Sequence, residues 1–232
     1  MSRRPRTLVA VVVGAAVAGA LAVGVAVARG SDDWSGPHVT PTARGTLAAD
    51  FVLPSGTPSP EATITPAPGS WDGVHPSAQL RVVLLTTSED DRPATTVADA
   101  VRDWAHDEDV SLRTVVADGP TDRLPAVLRA TALHPDLVIS AGDDLVDPLA
   151  QVTPSHLDQQ FLVVGAELAE PTENVTAADW SGASFRGEGL GTSSAYDAAT
   201  FTPARCRAAV QAGVASVLSG LTGIVVSLDD AT

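Results

Sequence analysis

In "PDLVISAGDDLVDPLA" (135–150), Asp143 and Asp144 directly follow Gly142, and Asp147 stands five residues after that glycine. A second acidic pair, Asp90 and Asp91, closes "TTSEDD" (86–91). Carboxylates grouped this way can hold a divalent cation, work as acid and base, contact a solute, or cap a helix. Adjacent carboxylates at a helix start are explained by capping and the helix dipole alone, so Asp143 and Asp144 are expected to cap the helix that follows. Other constellations are missing. No G-x-S-x-G elbow occurs, and "WSGAS" (180–184) is not one. The histidines are His38, His75, His106, His134 and His156, with no H-E-x-x-H pair among them. "GEGLG" (187–191) lacks both the spacing and the lysine of a phosphate loop. The expectation is a binding or interaction module without a cofactor or metal set, and not an enzyme.

The elements that position these residues follow from the apolar pattern. "LRVVLLTT" (80–87) is a continuous apolar run of the buried parallel-strand type. "TVADAVRDWAHD" (96–107) puts Val97, Ala100, Val101 and Trp104 at helical spacing. The same reading gives a strand over 111–118 and a helix over 121–134 opening on an Asp-bearing cap signal. A strand over 136–142 and a short helix over 145–153 come next, then a strand over 160–167. A looser fifth strand over 174–185, a helix over 203–220 and a last strand over 223–230 complete the pattern. Strands alternating with helices predict an α/β fold, a parallel doubly wound sheet over 80–232. In such a sheet ligands bind beyond the carboxyl ends of the strands. Here those ends read "TTSEDD", "ADGPTD", "SAGDD", "GAELAE" and "SFRGEG", a rim rich in carboxylates.

Upstream of the domain, "PSGTPSPEATITPAPGS" (54–70) has no apolar period, so residues 31–79 are expected to form an extended, mobile tether. "LAADFVLP" (47–54) is its one apolar island, a short strand or a clip onto the domain. Before it, 22 uncharged residues (Thr7–Ala28) follow "RRPR", long enough to span a bilayer as helix with the remainder outside the cytoplasm. Ala26-Val27-Ala28 has the form of a signal-cleavage site, so residues 1–30 are a retained anchor or a cleaved export signal. All 14 basic residues are arginine, which excludes a phosphate-loop or Schiff-base lysine. Beyond Gly30 there are 28 carboxylates against 10 arginines, a surface that repels nucleic acid. Cys206 is the lone cysteine, so no intramolecular disulfide can form; it is a buried hydrophobe or pairs with another chain.

The order of parts resembles the amino-terminal lobe of the type I periplasmic-binding-protein fold, and specifically the basic-membrane-protein family of solute-binding lipoproteins. Three stretches carry the likeness across about residues 80–232: "PDLVISAGDDLVDPLAQVT", "QFLVVGAE", and "NVTAADWSGASFRGEGLG" with "CRAAVQAGVASVLSG". The resemblance implies an extracytoplasmic module serving an ABC importer, with a small polar solute and an envelope or transporter protein as its partners. It nominates Asp147 for the solute and matches Phe185, Arg186 and Glu188 to the family's turn. Asp90, Asp91, Gly142 and Asp143 complete the set of ligand-binding candidates. The family's first loop departs here, because Pro93-Ala94-Thr95 replaces its serine, phenylalanine and asparagine. With that loop changed and one lobe in place of two, small-molecule binding is expected to be incomplete or lost. The alternative is a cell-envelope protein-interaction domain with no small ligand.

Overall fold

The computed structural model describes residues 34, 36–40, 42–52, 56–77, 79–88, 91–169, 171–186 (backbone only for 184–186) and 196–229. The apolar run Thr7–Ala28, Asp90 and Glu188 lie outside them. Among the described residues no helix is long and apolar enough to cross a membrane.

In chain order the elements are β1 (Ala43–Arg44), β2 (Thr63–Ile64), β3 (His75–Pro76), β4 (Arg81–Thr87), α1 (Arg92–Asp107), β5 (Ser111–Ala117), α2 (Arg123–Thr131), β6 (Leu137–Ala141), α3 (Val146–Val152), β7 (Gln160–Val164), β8 (Ala166–Leu168), β9 (Val175–Asp179), β10 (Ser184–Arg186), α4 (Pro203–Leu218) and β11 (Val225–Ser227). The main sheet has seven strands in the order β2-β11-β9-β7-β6-β4-β5, and every neighbouring pair is parallel. Helices cover both faces. Val82, Leu84, Leu137, Ile139, Leu162 and Val226 face α1 and α4, with Val97, Val101, Trp104, Cys206 and Val210 buried among them. Val83, Leu85, Val138, Phe161 and Val163 face α2 and α3 across Val127, Ala130, Leu145 and Leu149. The fold is therefore α/β with a parallel, doubly wound sheet. Burial on both faces is the physical reason these strands read as unbroken apolar runs.

Two elements depart from the sequence reading at glycine-bearing turns. The strand expected over 160–167 breaks at Gly165, whose φ is +79°. A Cβ there would lie 2.6 Å from Phe201 Cε1, so neither the backbone nor the space admits a side chain. The strand expected over 174–185 likewise divides into β9 and β10 at the Trp180–Ala183 turn, closed by a 2.8 Å bond from Ala183 N–H to the Trp180 carbonyl. β8 and β10 then pair in parallel as a small separate sheet.

The tether expectation is overturned for the described part of residues 31–79. β2 forms the sheet edge against β11, and β1 pairs with β3. Phe51 and Trp71 are 1% and 5% exposed and belong to the main core. The Trp34 indole N–H donates to Ser111 Oγ at 2.8 Å, and Arg113 Cζ lies 4.4 Å from the ring centroid. His38 Nε2 sits 2.7 Å from Asp136 Oδ1. Proline and threonine content suggested a chain unable to bury enough surface. A few aromatic anchors and backbone bonds such as Ala48 N–H to Ser70 O supply what the average composition hides.

Candidate functional site

β4 is hydrogen-bonded to β5 on one side and β6 on the other, and the chain leaves β4 and β6 toward opposite faces of the sheet, through α1 and α3. That reversal is the topological switch point of an open α/β sheet, where a crevice forms beyond the strand ends. Asp91 lies on its β4 side. Its carboxylate accepts from Ala94 N–H at 2.9 Å and caps α1, whose first turn carries Pro93. Gly142 lies on the β6 side, with φ +78° and its N–H bonded to Val164 O at 3.0 Å. A Cβ on Gly142 would stand 3.1 Å from Ala94 Cβ, so glycine lets the start of α1 pack against the end of β6.

Asp143 and Asp144 do not play the capping role expected of them. α3 begins at Val146 behind Leu145, without a side-chain cap bond, and the Asp143 backbone carbonyl accepts Val146 N–H. Asp144 accepts from Arg123 at 2.6 Å instead, a half-buried pair that ties α3 to α2. Asp147 is exposed in the first turn of α3. Phe185 is known by its backbone, paired with Glu167 between β10 and β8. The Asp122 cap signal was also misleading: Asp122 accepts from Arg129 and from Asp118 N–H, not from the first turn of α2. Those two donors, with Arg129 first, hold its carboxyl down at about 2.

Residues that the sequence reading did not single out complete the rim. Tyr196, 49% exposed, has its phenol pushed up by burial and then by the charges of Asp91, Asp143 and Asp144. Its ring lies 5.9 Å from Phe201, which meets Trp180 edge-on at 4.8 Å. The Trp180 indole N–H donates to Thr200 Oγ1 at 2.9 Å, Thr200 Oγ1 donates to Asp197 O, and Asp197 N–H donates to Gly182 O. The segment 196–202 is thereby strapped over the ends of β7 and β9 with Tyr196 presented toward the carboxylates. Tyr196 was legible as the chain's one tyrosine, but no periodic or motif signal marks it, and its position depends on a loop path.

A second acidic group stands farther along the same edge, where β9 and β11 end. Burial is the main cause that lifts Asp179 to about 9, followed by its hydrogen bond with Glu167 and the charges of Glu167 and Asp229. Asp179 Oδ1 is buried without a hydrogen-bond partner, and Asp229 accepts Ser181 N–H. Burial and the neighbouring carboxylates thus favour the protonated form of Asp179. Among the described residues no group of three or more potential ligands is arranged for a metal ion.

No family model matches the chain, and no curated protein matches it. Solved structures similar to it include an ABC transporter solute-binding protein from Aeropyrum pernix, 18% identical over 44% of this chain and 29% of that one, TM-score 0.40. A periplasmic ribose ABC transporter protein from Conexibacter woesei is 14% identical over 66% of this chain and 55% of that one, TM-score 0.37. An ABC transporter solute-binding protein from Bacillus halodurans, with bound myo-inositol, is 16% identical over 41% of this chain and 39% of that one, TM-score 0.31. The chain spans between 29% and 55% of the length of these proteins.

Proposed function

We propose that this chain is a solute-binding-like module of an extracytoplasmic transport or sensing system, related to the basic-membrane-protein family and held to the membrane by its Thr7–Ala28 segment. Its rim takes a small polar solute bearing hydroxyl or ammonium donors. The observation that carries this reading is the convergence of Asp91, Asp143, Asp144 and Tyr196 at the switch point of a parallel sheet. Three carboxylates with one aromatic ring select a ligand with donors on one side and an apolar or cationic face on the other. No phosphate or other anion suits them. The module binds rather than catalyses: Asp91 is engaged in capping α1 and Asp144 in its pair with Arg123, which leaves neither poised as a general base.

The site is an open rim, so each hydrogen bond competes with water and nets about 0.5–1.5 kcal/mol. A few such bonds give a dissociation constant on the order of millimolar. Calorimetry and thermal-shift titration of the full chain against amines, polyols and nucleosides test this. The expected result is one saturable ligand class, weakened about ten-fold by Tyr196→Ala and by Asp143→Asn. Asp147→Ala separately tests the position nominated by the family resemblance. A panel with no saturable ligand at tens of millimolar sinks the proposal. It would favour the second reading, a protein partner docking on the β5 edge, where Val116, Leu124 and Leu128 are 44%, 39% and 46% exposed.

A further inference from the structure

Three carboxylates from three segments meet where β8, β9 and β11 end: Asp179 closes β9, Glu167 is the middle residue of β8, and Asp229 follows β11. The Asp179 and Glu167 side chains are hydrogen-bonded to each other. Ionised carboxylates only accept, so that bond exists only while one of the two carries a proton. Asp179 Oδ1 is buried without a donor, which makes its ionised form costly in this place. The charged groups on the surrounding elements have other engagements. Asp229 accepts Ser181 N–H, Arg205 of α4 donates to Thr200 O at 3.5 Å, and Arg186 of β10 pairs by its backbone with Leu168 rather than with Glu167. β7 brings Val164 and Gly165 alongside, neither of them charged.

The turn that follows Asp179 carries the strap 196–202. Trp180 donates to Thr200 Oγ1 and Asp197 N–H donates to Gly182 O, both at 2.9 Å. A Cβ on Gly182 would stand 2.7 Å from Thr200 Cγ2, so turn and strap are in direct contact. Phe201, the ring beneath Tyr196, lies against Gly165 at the junction of β7 with β8. Whatever moves β8 or the turn therefore moves the perch of Tyr196.

We propose that the Asp179–Glu167 pair is a proton-operated latch on this strap. With a proton between them, β8 is held against β9 and Tyr196 faces the rim carboxylates. With that proton gone, two adjacent negative charges part β8 from β9, the turn shifts, and the strap lifts away with Tyr196. A carboxyl raised by burial first, and then by Glu167 and Asp229, keeps the latch shut at lower pH and opens it as pH rises through about 9. The purpose of the movement rests on the rim reading, since an absent Tyr196 weakens the solute, but the movement itself needs no solute.

The test uses the full chain with labelled tyrosine and phenylalanine rings and no added ligand. Tyr196 is the one tyrosine, so its ring is identified at once, and its nuclear Overhauser contacts with Phe201 are followed from pH 6 to pH 10. In the parent they are expected at pH 6 and to fall at least several-fold by pH 10, while the amides of β6 stay protected from exchange. Asp179→Asn and Glu167→Gln each remove one charge and leave an amide that can donate, so each is expected to keep the contacts at pH 10. Contacts that persist in the parent, that fall in either folded variant as in the parent, or that vanish only together with β6 protection overturn the latch. Solute titration at pH 7, where the strap is docked, tests the rim reading separately, so the two can fail independently.

Discussion

Asp179 shows how far one side chain can be moved by its surroundings. In the unfolded chain its carboxyl titrates near 3.8, whereas in the fold it holds its proton up to about 9. Between those values the folded state binds one more proton than the unfolded state at this group, so its contribution to stability is greatest below 3.8 and is lost as pH rises toward 9. Asp179→Asn removes this dependence without changing shape. Thermal unfolding should show the variant more stable than the parent at pH 7–8, by on the order of a few degrees, and equal to it at pH 3.5. A variant less stable at pH 8 would refute the buried-acid account. Cys206 is a simpler case. It is fully buried, and desolvation pushes its thiol up to about 12, so it behaves as a small hydrophobe. Iodoacetamide should leave it unmodified in the native chain and alkylate it only after denaturation; native labelling or a disulfide-linked dimer would show it accessible. Of these two, the buried cysteine could be read from its apolar helix. The shifted carboxyl could not, because a strand-end aspartate looks like any other polar terminus until Glu167 and Asp229 are brought beside it.

Strands and helices were legible because each carries its own periodic signal. β4, β6 and β7 are buried on both faces and so are apolar without alternation, and α1 has a clear apolar face. Their breaks were less so, since Gly165 interrupts β7 for the sake of Phe201, thirty-six residues later. The amino-terminal segment was misread for a related reason: composition averages away the few residues that dock it. Phe51 is the sharpest of these. Phe51→Ala should destabilise the domain by about 3–5 kcal/mol and expose 56–77 to limited proteolysis, while the same protease leaves that stretch intact in the parent. Unchanged stability and cleavage would restore the mobile tether. The reach of the candidate site depends on the same kind of distant support, with Tyr196 resting on Phe201, Phe201 on Trp180, and Trp180 on Thr200.

For the molecule as a whole, the parallel sheet follows directly from the alternation of apolar runs with helical segments, and so does the placement of Asp91, Gly142 and Asp143 near one edge. Which carboxylates point together, and which aromatic ring faces them, depends on connections that leave no periodic trace. The seventh strand illustrates the difference. β2 joins the sheet by pairing Thr63 and Ile64 with Val225 and Val226, and Glu61 N–H reaches Gly223 O at 2.7 Å. Thr63 and Ile64 thus find their place only once residues far along the chain have been made. Closing so large a loop is entropically slow, so this margin should be the last part of the protein to assemble and the first to open. Deleting the β11 stretch would strip β2 of its neighbour as well, so a change at one strand would be felt at the other.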